Sequence, residues 1–258
     1  ELKSGRRSGL FSLARKLVGA APVDLSLISK SERGYRLASG VWGAPVKMTP
    51  PPLDAAMSAA DAFCAIAHGC LRQMMLNAPA FQNGQAVEAV HQTRVAIRRL
   101  RAAMTLFRPL IADSAYPALA SELKWLSGQL GATRDIDVLL SETVQPAMAR
   151  EPEAPGLAEL AAFIAARQDA SRRDLRAAMD SPRARKLMLN LLIWVEDGAW
   201  RRRPLAAGAE AESLRDLLSR RLRSSRKKLA ALGENLRDLP EAELHEVRIR
   251  AKKLRYQA

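Results

Sequence analysis

From Leu53 onward, apolar residues recur every three or four positions, the spacing expected of helices that bury one face. Ala, Leu, Arg, Glu and Met, which favour helix, are frequent in the same region. Breaks rich in Pro, Gly and Asn separate the apolar stretches. We therefore predict helices over residues 54–77, 86–111, 115–130, 134–149, 157–179, 183–198, 210–231 and 241–258.

Short breaks between long helices are typical of antiparallel bundles. Pro152, Pro155 and Gly156 divide the helical region near its middle. The predicted fold class is therefore mainly α, with two antiparallel helical bundles at about residues 53–150 and about 155–258. The sequence starts without a methionine and stops inside the last predicted helix, so we expect a piece of a longer protein whose second bundle is incomplete here.

The first 44 residues have a different pattern. Residues 10–18 predict a short amphipathic helix, whereas residues 23–29 alternate as a strand does, so a short α+β segment is predicted at the N-terminus. Pro45 and the run Pro50–Pro52 lack backbone donors and cannot continue a helix. We predict a proline-rich linker at residues 45–52 and a helical domain at residues 53–258.

One pattern of eleven residues occurs twice, beginning at His91 and at His245, with cations at offsets +3, +7, +8 and +10 in both copies. On a helix, offsets 0, +3, +7 and +10 share an arc of about 80°, beside the apolar seam, and the +8 cation points elsewhere. The first basic face comprises His91, Arg94, Arg98 and Arg101, and the second comprises His245, Arg248, Lys252 and Arg255. The +8 cations, Arg99 and Lys253, are kept as additional candidates.

Charge decides between two interpretations of these faces. A solvated helix surface explains many single charge runs, but like charges this close repel one another, and no acid lies between Arg94 and Arg108. The net charge of +14 makes polyanions the natural partners. Aromatic residues are only 5% of the chain, too few to favour base stacking, so phosphate is the predicted target. The repetition therefore predicts a duplicated anion-binding site.

Two other basic segments have different predicted roles. A run of cations begins at Arg220. If this run is helical, Arg220, Arg223 and Lys227 share one face, and they are added to the candidate ligands. Arg201–Arg203 follow Trp200 at a helix end, where cations are expected to bond to the last backbone carbonyls.

The segment Leu130–Val138 contains two aspartates and a further candidate ligand, Arg134. Asp135 and Asp137 would face about 200° apart on a helix and would not converge on one metal ion. We predict a structural role, either at the N-terminus of a helix or in orienting a His or Arg of the repeated pattern.

The residues point to binding without catalysis. The histidines have neither a nucleophile nor an orienting acid in a recognisable arrangement, and no glycine-rich phosphate loop is present, so no catalytic residue is predicted. Cys64 and His68 have a spacing that a metal uses, but further ligands are missing, so no metal site is predicted. On one helix, Cys64 and Cys70 would lie on different sides, too far apart to form a disulfide with each other. Free thiols are typical of proteins of the reducing cytoplasm. No apolar stretch reaches the roughly 20 residues needed to span a membrane.

The motifs at 90–101, 130–137 and 244–256, with the helical layout, closely resemble the CHAD family over about Pro52–Ala258. This resemblance implies two similar bundles around a basic central cleft that binds inorganic polyphosphate, with neither a cofactor nor catalysis of its own. It implies that both basic faces contact phosphate, the histidines adding hydrogen bonds that depend on pH.

The N-terminal residues resemble the end of a CYTH domain, in Glu1–Gly5, Leu10–Arg15 and Ser29–Tyr35. The resemblance implies a CYTH-CHAD fusion whose missing triphosphate tunnel hydrolyses inorganic triphosphate with Mg or Mn. This chain itself is not expected to be an enzyme, although one alternative is that the intact parent is an inorganic triphosphatase. A second alternative is a generic helical module that binds nucleic acid without specificity. Cytoplasmic location and association with polyphosphate granules are expected, and oligomeric state and chain-length preference stay open.

Overall fold

A computed structural model of the protein describes residues 6–26, 28–81, 86–203, 213–233, 236 and 239–255, excluding the side chains of Ala86, Lys253 and Arg255. The helices in these ranges are α1 (Arg7–Ala20), α2 (Lys30–Ala38), α3 (Ala59–Asn77), α4 (Ala86–Leu106), α5 (Arg108–Ile111), α6 (Tyr116–Val138), α7 (Gln145–Arg150), α8 (Leu157–Met179), α9 (Pro182–Asp197), α10 (Leu214–Leu232) and α11 (Glu241–Arg255). Short 3₁₀ turns follow α3 and α9, and a π-helical segment, Leu139–Val144, joins α6 to α7. The mainly α prediction is confirmed.

The strand predicted at residues 23–29 is wrong for the residues described. Residues 22–26 form irregular chain, Leu27 lies outside the described residues, and the Ser26 hydroxyl bonds to the backbone of Ile28 at 3.3 Å in a local turn. An alternating segment needs a partner strand to pair its backbone groups. In the described ranges the β-type pairing is one isolated bridge, between Ser58 and Ser213. In the described residues of the N-terminal segment there are therefore helices and no strand, so the α+β prediction is wrong for them.

Helix α2 was not predicted, although the sequence carries its start signal. Ser29 Oγ accepts a hydrogen bond from the backbone N–H of Glu32 at 3.0 Å. A serine followed three residues later by a glutamate is the capping-box pattern. The apolar stretch after it is short, which hides the helical period from a pattern based on hydrophobicity.

The predicted break at residues 131–133 is also wrong, because α6 runs without interruption from Tyr116 to Val138. The hydroxyls of Thr133 and Ser171 lie 2.9 Å apart, so this segment is packed against α8. Tertiary contacts of this kind outweigh the low helix propensity of glycine and threonine. The break predicted further on, at Pro152–Gly156, is confirmed, and α8 begins at Leu157.

The core is one continuous cluster to which α3, α4, α6, α9 and α10 all contribute. Phe63 of α3 is at its centre, with ring centroids 5.7 Å from Phe107, 5.6 Å from Trp194 and 5.7 Å from Trp200. Aromatic contacts at such distances add to the energy of burial. Helices from both predicted bundles thus share this core, and the bundle boundaries stay a prediction.

The N-terminal helices pack on the rest of the chain. Arg7 of α1 lies 3.6 Å from Glu196 of α9, and Glu32 of α2 lies 3.1 Å from Arg72 of α3. The side chain of Asn77 accepts from Val46 N at 2.9 Å and donates to Val46 O at 2.8 Å, which fixes part of the predicted linker to α3. The division into domains stays a prediction. None of the helices described is both long and apolar enough to cross a membrane.

Candidate functional site

The first basic face lies on α4, which is packed in the middle of the core. Ile97 and Leu100 are completely buried on one side of this helix, whereas Arg98 and Arg101 are exposed and His91 and Arg94 are half-buried. The apolar seam and the cations therefore divide the helix as the angular spacing predicts. A helix that is packed into the core on one side thus displays the cations at its solvent edge.

Arg94 is held by contacts with α6. Its Nη1 donates a hydrogen bond to the carbonyl of Leu130 at 3.2 Å and lies 3.8 Å from Asp135 Oδ1. A Cβ added at Gly131 would lie 3.4 Å from the same nitrogen, at the limit of ordinary van der Waals contact, so the guanidinium packs closely against this turn of α6. The segment 130–135 thus forms a support for one cation of the first basic face.

The two aspartates of α6 serve different neighbours, because residues two apart on a helix point in nearly opposite directions. Asp135 is exposed beside Arg94, whereas Asp137 is buried and accepts hydrogen bonds from Gln168 at 2.8 Å and Arg172 at 3.0 Å, both on α8. The two side chains therefore face different sides of α6, as their spacing predicts. The N-terminal capping role is wrong because no helix begins there, and the alternative, a carboxylate beside a motif arginine, matches Asp135.

Two additional candidates on and near this surface differ in environment. Arg134 of α6 is half-buried. Arg99 has a buried Nη1 with no hydrogen-bond partner among the described residues, and its positive charge acts on the thiol of Cys70 in α3. Burial raises the pKa of Cys70 to about 12, and the positive charge of Arg99 opposes that shift. Arg99 is therefore partly enclosed by the protein, whereas Arg98 and Arg101 are exposed.

The second basic face lies on α11, which packs against α10. His245, Arg248 and Lys252 are all exposed. Arg255 ends the helix, but its side chain and that of Lys253 lie outside the described residues. The opposition of the two basic faces across one cleft stays a prediction.

The third basic run lies on α10, where Arg220, Arg223 and Lys227 are exposed. Arg221, which was not predicted as a functional residue, donates to the carbonyl of Thr105 at 3.1 Å. Thr105 belongs to the last turn of α4, whose carbonyls lack partners within the helix. Arg221 thus joins α10 to the helix that carries the first basic face. Sequence spacing does not reveal a contact between residues so far apart in the chain.

Arg201 and Arg202, which follow Trp200, have the structural role predicted for them, whereas Arg203 donates instead to the carbonyl of Ala112, just after α5. Arg201 donates to Val195 O at 3.2 Å and Arg202 to Asp197 O at 2.7 Å, both carbonyls of the last turn of α9. His68, whose spacing from Cys64 is one that a metal uses, has its Nε2 2.6 Å from Glu196 Oε1. No group of three or more His, Cys, Asp or Glu side chains placed to hold a metal occurs among the described residues.

The comparisons with known proteins decide the family. The family model that describes CHAD-domain sequences matches residues 65–258 of this chain. This chain belongs to the CHAD family. A crystal structure of the CHAD domain from the plant Ricinus communis is similar, with 33% sequence identity and a TM-score of 0.70, covering 83% of this chain and 69% of that chain. The comparison with curated proteins gives no match.

Membership of the CHAD family confirms the resemblance drawn from the repeated motifs, because both basic faces and the segment 130–137 lie inside the matched range. Residues 1–64 lie outside it. The likeness of residues 1–44 to a CYTH domain therefore stays a prediction, as does the association with a triphosphatase. Within the CHAD domain, the roles of the individual cations as ligands also stay predictions.

Proposed function

We propose that this CHAD domain binds inorganic polyphosphate through the first and second basic faces. The family is associated with polyphosphate binding in general. The observation that carries the proposal for this chain is the arrangement on α4, where Arg94 is held against α6 and Arg98 and Arg101 are exposed farther along the same helix. Successive turns of one helix rise by about 5.4 Å, so a flexible polyanion can lie along all three cations.

The chemistry of the side chains favours phosphate as the ligand. A guanidinium donates two parallel hydrogen bonds to one phosphate group, whereas the Lys252 ammonium supplies a compact charge. His91 and His245 add donors whose number rises when they are protonated. None of these interactions with phosphate breaks a covalent bond, so the domain is proposed to act as a binding module.

Charge reversal at the exposed part of the first basic face tests this proposal. We expect the double variant Arg98→Glu with Arg101→Glu to lose at least about tenfold in affinity for long-chain polyphosphate, because two cations become repulsive. Arg15→Glu with Lys16→Glu on the exposed side of α1 is the control, since it changes the net charge equally. Titration calorimetry measures affinity and circular dichroism verifies helicity. Equal losses in the two double variants would reject a localised site.

A second variant reverses the charge of one arginine on each basic face. We expect Arg94→Glu with Arg248→Glu to abolish the binding of long-chain polyphosphate while helicity is retained. Affinity of the unchanged protein is expected to fall steeply with salt, because binding releases counterions. Duplex DNA and RNA at the same charge concentration serve as competitors at physiological salt. If they bind as tightly as polyphosphate, the generic nucleic-acid module is the better description.

For the N-terminal region, we propose that residues 1–44 are the end of a CYTH domain in a CYTH-CHAD protein. The sequence motifs at Glu1–Gly5 and Ser29–Tyr35 support this, as does the start of the family match at residue 65. A protein extended upstream of Glu1 is then expected to release phosphate from inorganic triphosphate with Mg or Mn, and this chain is not. A cytoplasmic location is proposed from the free, buried Cys64 and Cys70.

A further inference from the structure

The two contacts of Arg94 with α6 differ in strength. The hydrogen bond to the Leu130 carbonyl, at 3.2 Å, lies at the upper end of ordinary N–H···O distances. Arg94 Nη1 and Asp135 Oδ1 lie 3.8 Å apart, which is close enough for an ion pair but too far for a hydrogen bond. The Asp135 side chain is 80% exposed and that of Arg94 is 34% exposed. Water competes for the carboxylate more than for the guanidinium.

These contacts leave Arg94 able to exchange its anionic partner. A guanidinium has five N–H donors, and the Leu130 carbonyl accepts from only one nitrogen. An exposed ion pair of this kind contributes little to stability, so its loss is easily offset by a phosphate group that forms true hydrogen bonds. The bond to Leu130 meanwhile keeps the guanidinium in place.

We propose that Asp135 is the internal counterion of Arg94 and that an incoming phosphate group displaces it. This inference rests on the proposed binding of polyphosphate and adds a residue that lowers its affinity. The carboxylate relieves the repulsion among the cations of the first basic face when the site is empty, and it repels phosphate when the site fills. Asp135 therefore sets how much polyphosphate is needed before the face is occupied.

Asp137 shows what a carboxylate with a purely structural role looks like in the same helix. Its side chain is 1% exposed, and Arg172 and Gln168 of α8 both donate to its Oδ1. A carboxylate so enclosed is inaccessible to a polyanion. Of the two aspartates, only Asp135 is therefore placed where a phosphate group can displace it.

The test is the binding of long-chain polyphosphate to Asp135→Asn, which removes the charge and keeps the size. We expect affinity to rise about twofold to fivefold, the effect of one exposed charge pair. Asp174→Asn is the matched control, because Asp174 is exposed on α8 two residues from Arg172 and so points away from α6. It changes the net charge equally and is expected to leave affinity unchanged.

A double-variant cycle separates the counterion role from a general charge effect. Arg94→Gln lowers affinity, and adding Asp135→Asn to it is expected to give a smaller gain than Asp135→Asn gives alone, because only the repulsion between the carboxylate and phosphate is then removed. Unchanged or weaker binding by Asp135→Asn, or the same gain with and without Arg94, would overturn the inference while the proposed function stands. Absence of polyphosphate binding by the unchanged protein would overturn both.

Discussion

The first basic face on α4 and the second on α11 have the same spacing of His and cations but very different surroundings. Leu100, nine residues after His91, is completely buried, whereas Leu254, nine residues after His245, is only half-buried. Arg94 is held by Leu130, whereas Arg248 is exposed. A repeated motif therefore specifies which side chains share a helix face, and the neighbouring helices decide how firmly that face is held.

Matched truncations in the two copies give the largest expected contrast. Leu100→Ala is expected to lower the free energy of unfolding by about 2–5 kcal/mol, because it leaves a cavity in the core. Leu254→Ala, at the equivalent position, is expected to cost about 1 kcal/mol or less, since solvent fills the space that the side chain leaves. Urea denaturation followed by circular dichroism measures both. Equal losses would mean that α4 and α11 are packed alike.

The two aspartates of α6 give the next contrast. Asp137→Asn is expected to lower the free energy of unfolding by about 1–3 kcal/mol, because Arg172 loses the charge of its buried partner. Asp135→Asn is expected to change it by no more than about 0.5 kcal/mol, since that side chain is exposed. The same denaturation measurement compares them. A comparable loss in Asp135→Asn would show that the contact with Arg94 supports the fold itself.

The sequence was sufficient for features that depend on spacing within one helix. It predicted the mainly α class and the position of α8. It failed where the outcome depends on residues distant in the chain. The continuity of α6 through Gly131 depends on packing against α4 and α8, and the contact of Arg221 with Thr105 joins α10 to α4.

Recognition of the family came from the repeated motifs, whereas the contacts within the site came only from the structure. The offsets from His91 place Arg94 on a face with Arg98 and Arg101, but they do not show that Leu130 accepts from Arg94 or that Asp135 lies beside it. Those contacts require the relative position of two helices, which local spacing does not contain. The α2 capping box at Ser29 and Glu32, by contrast, was readable in the sequence.

The smallest expected contrast concerns binding by the two arginines at offset +3. An exposed side chain loses about 0.5–1.5 kcal/mol of conformational freedom when a ligand immobilises it. Arg94 has already lost part of that freedom through its bond to Leu130, whereas Arg248 is exposed. We therefore expect Arg94→Gln to weaken polyphosphate binding about tenfold and Arg248→Gln about threefold, the ratio corresponding to roughly 0.7 kcal/mol. Calorimetric titration of both variants at one salt concentration measures the ratio. If Arg248→Gln loses as much as Arg94→Gln, the fixed position of Arg94 gives no advantage, and the two faces bind as equals despite their different packing.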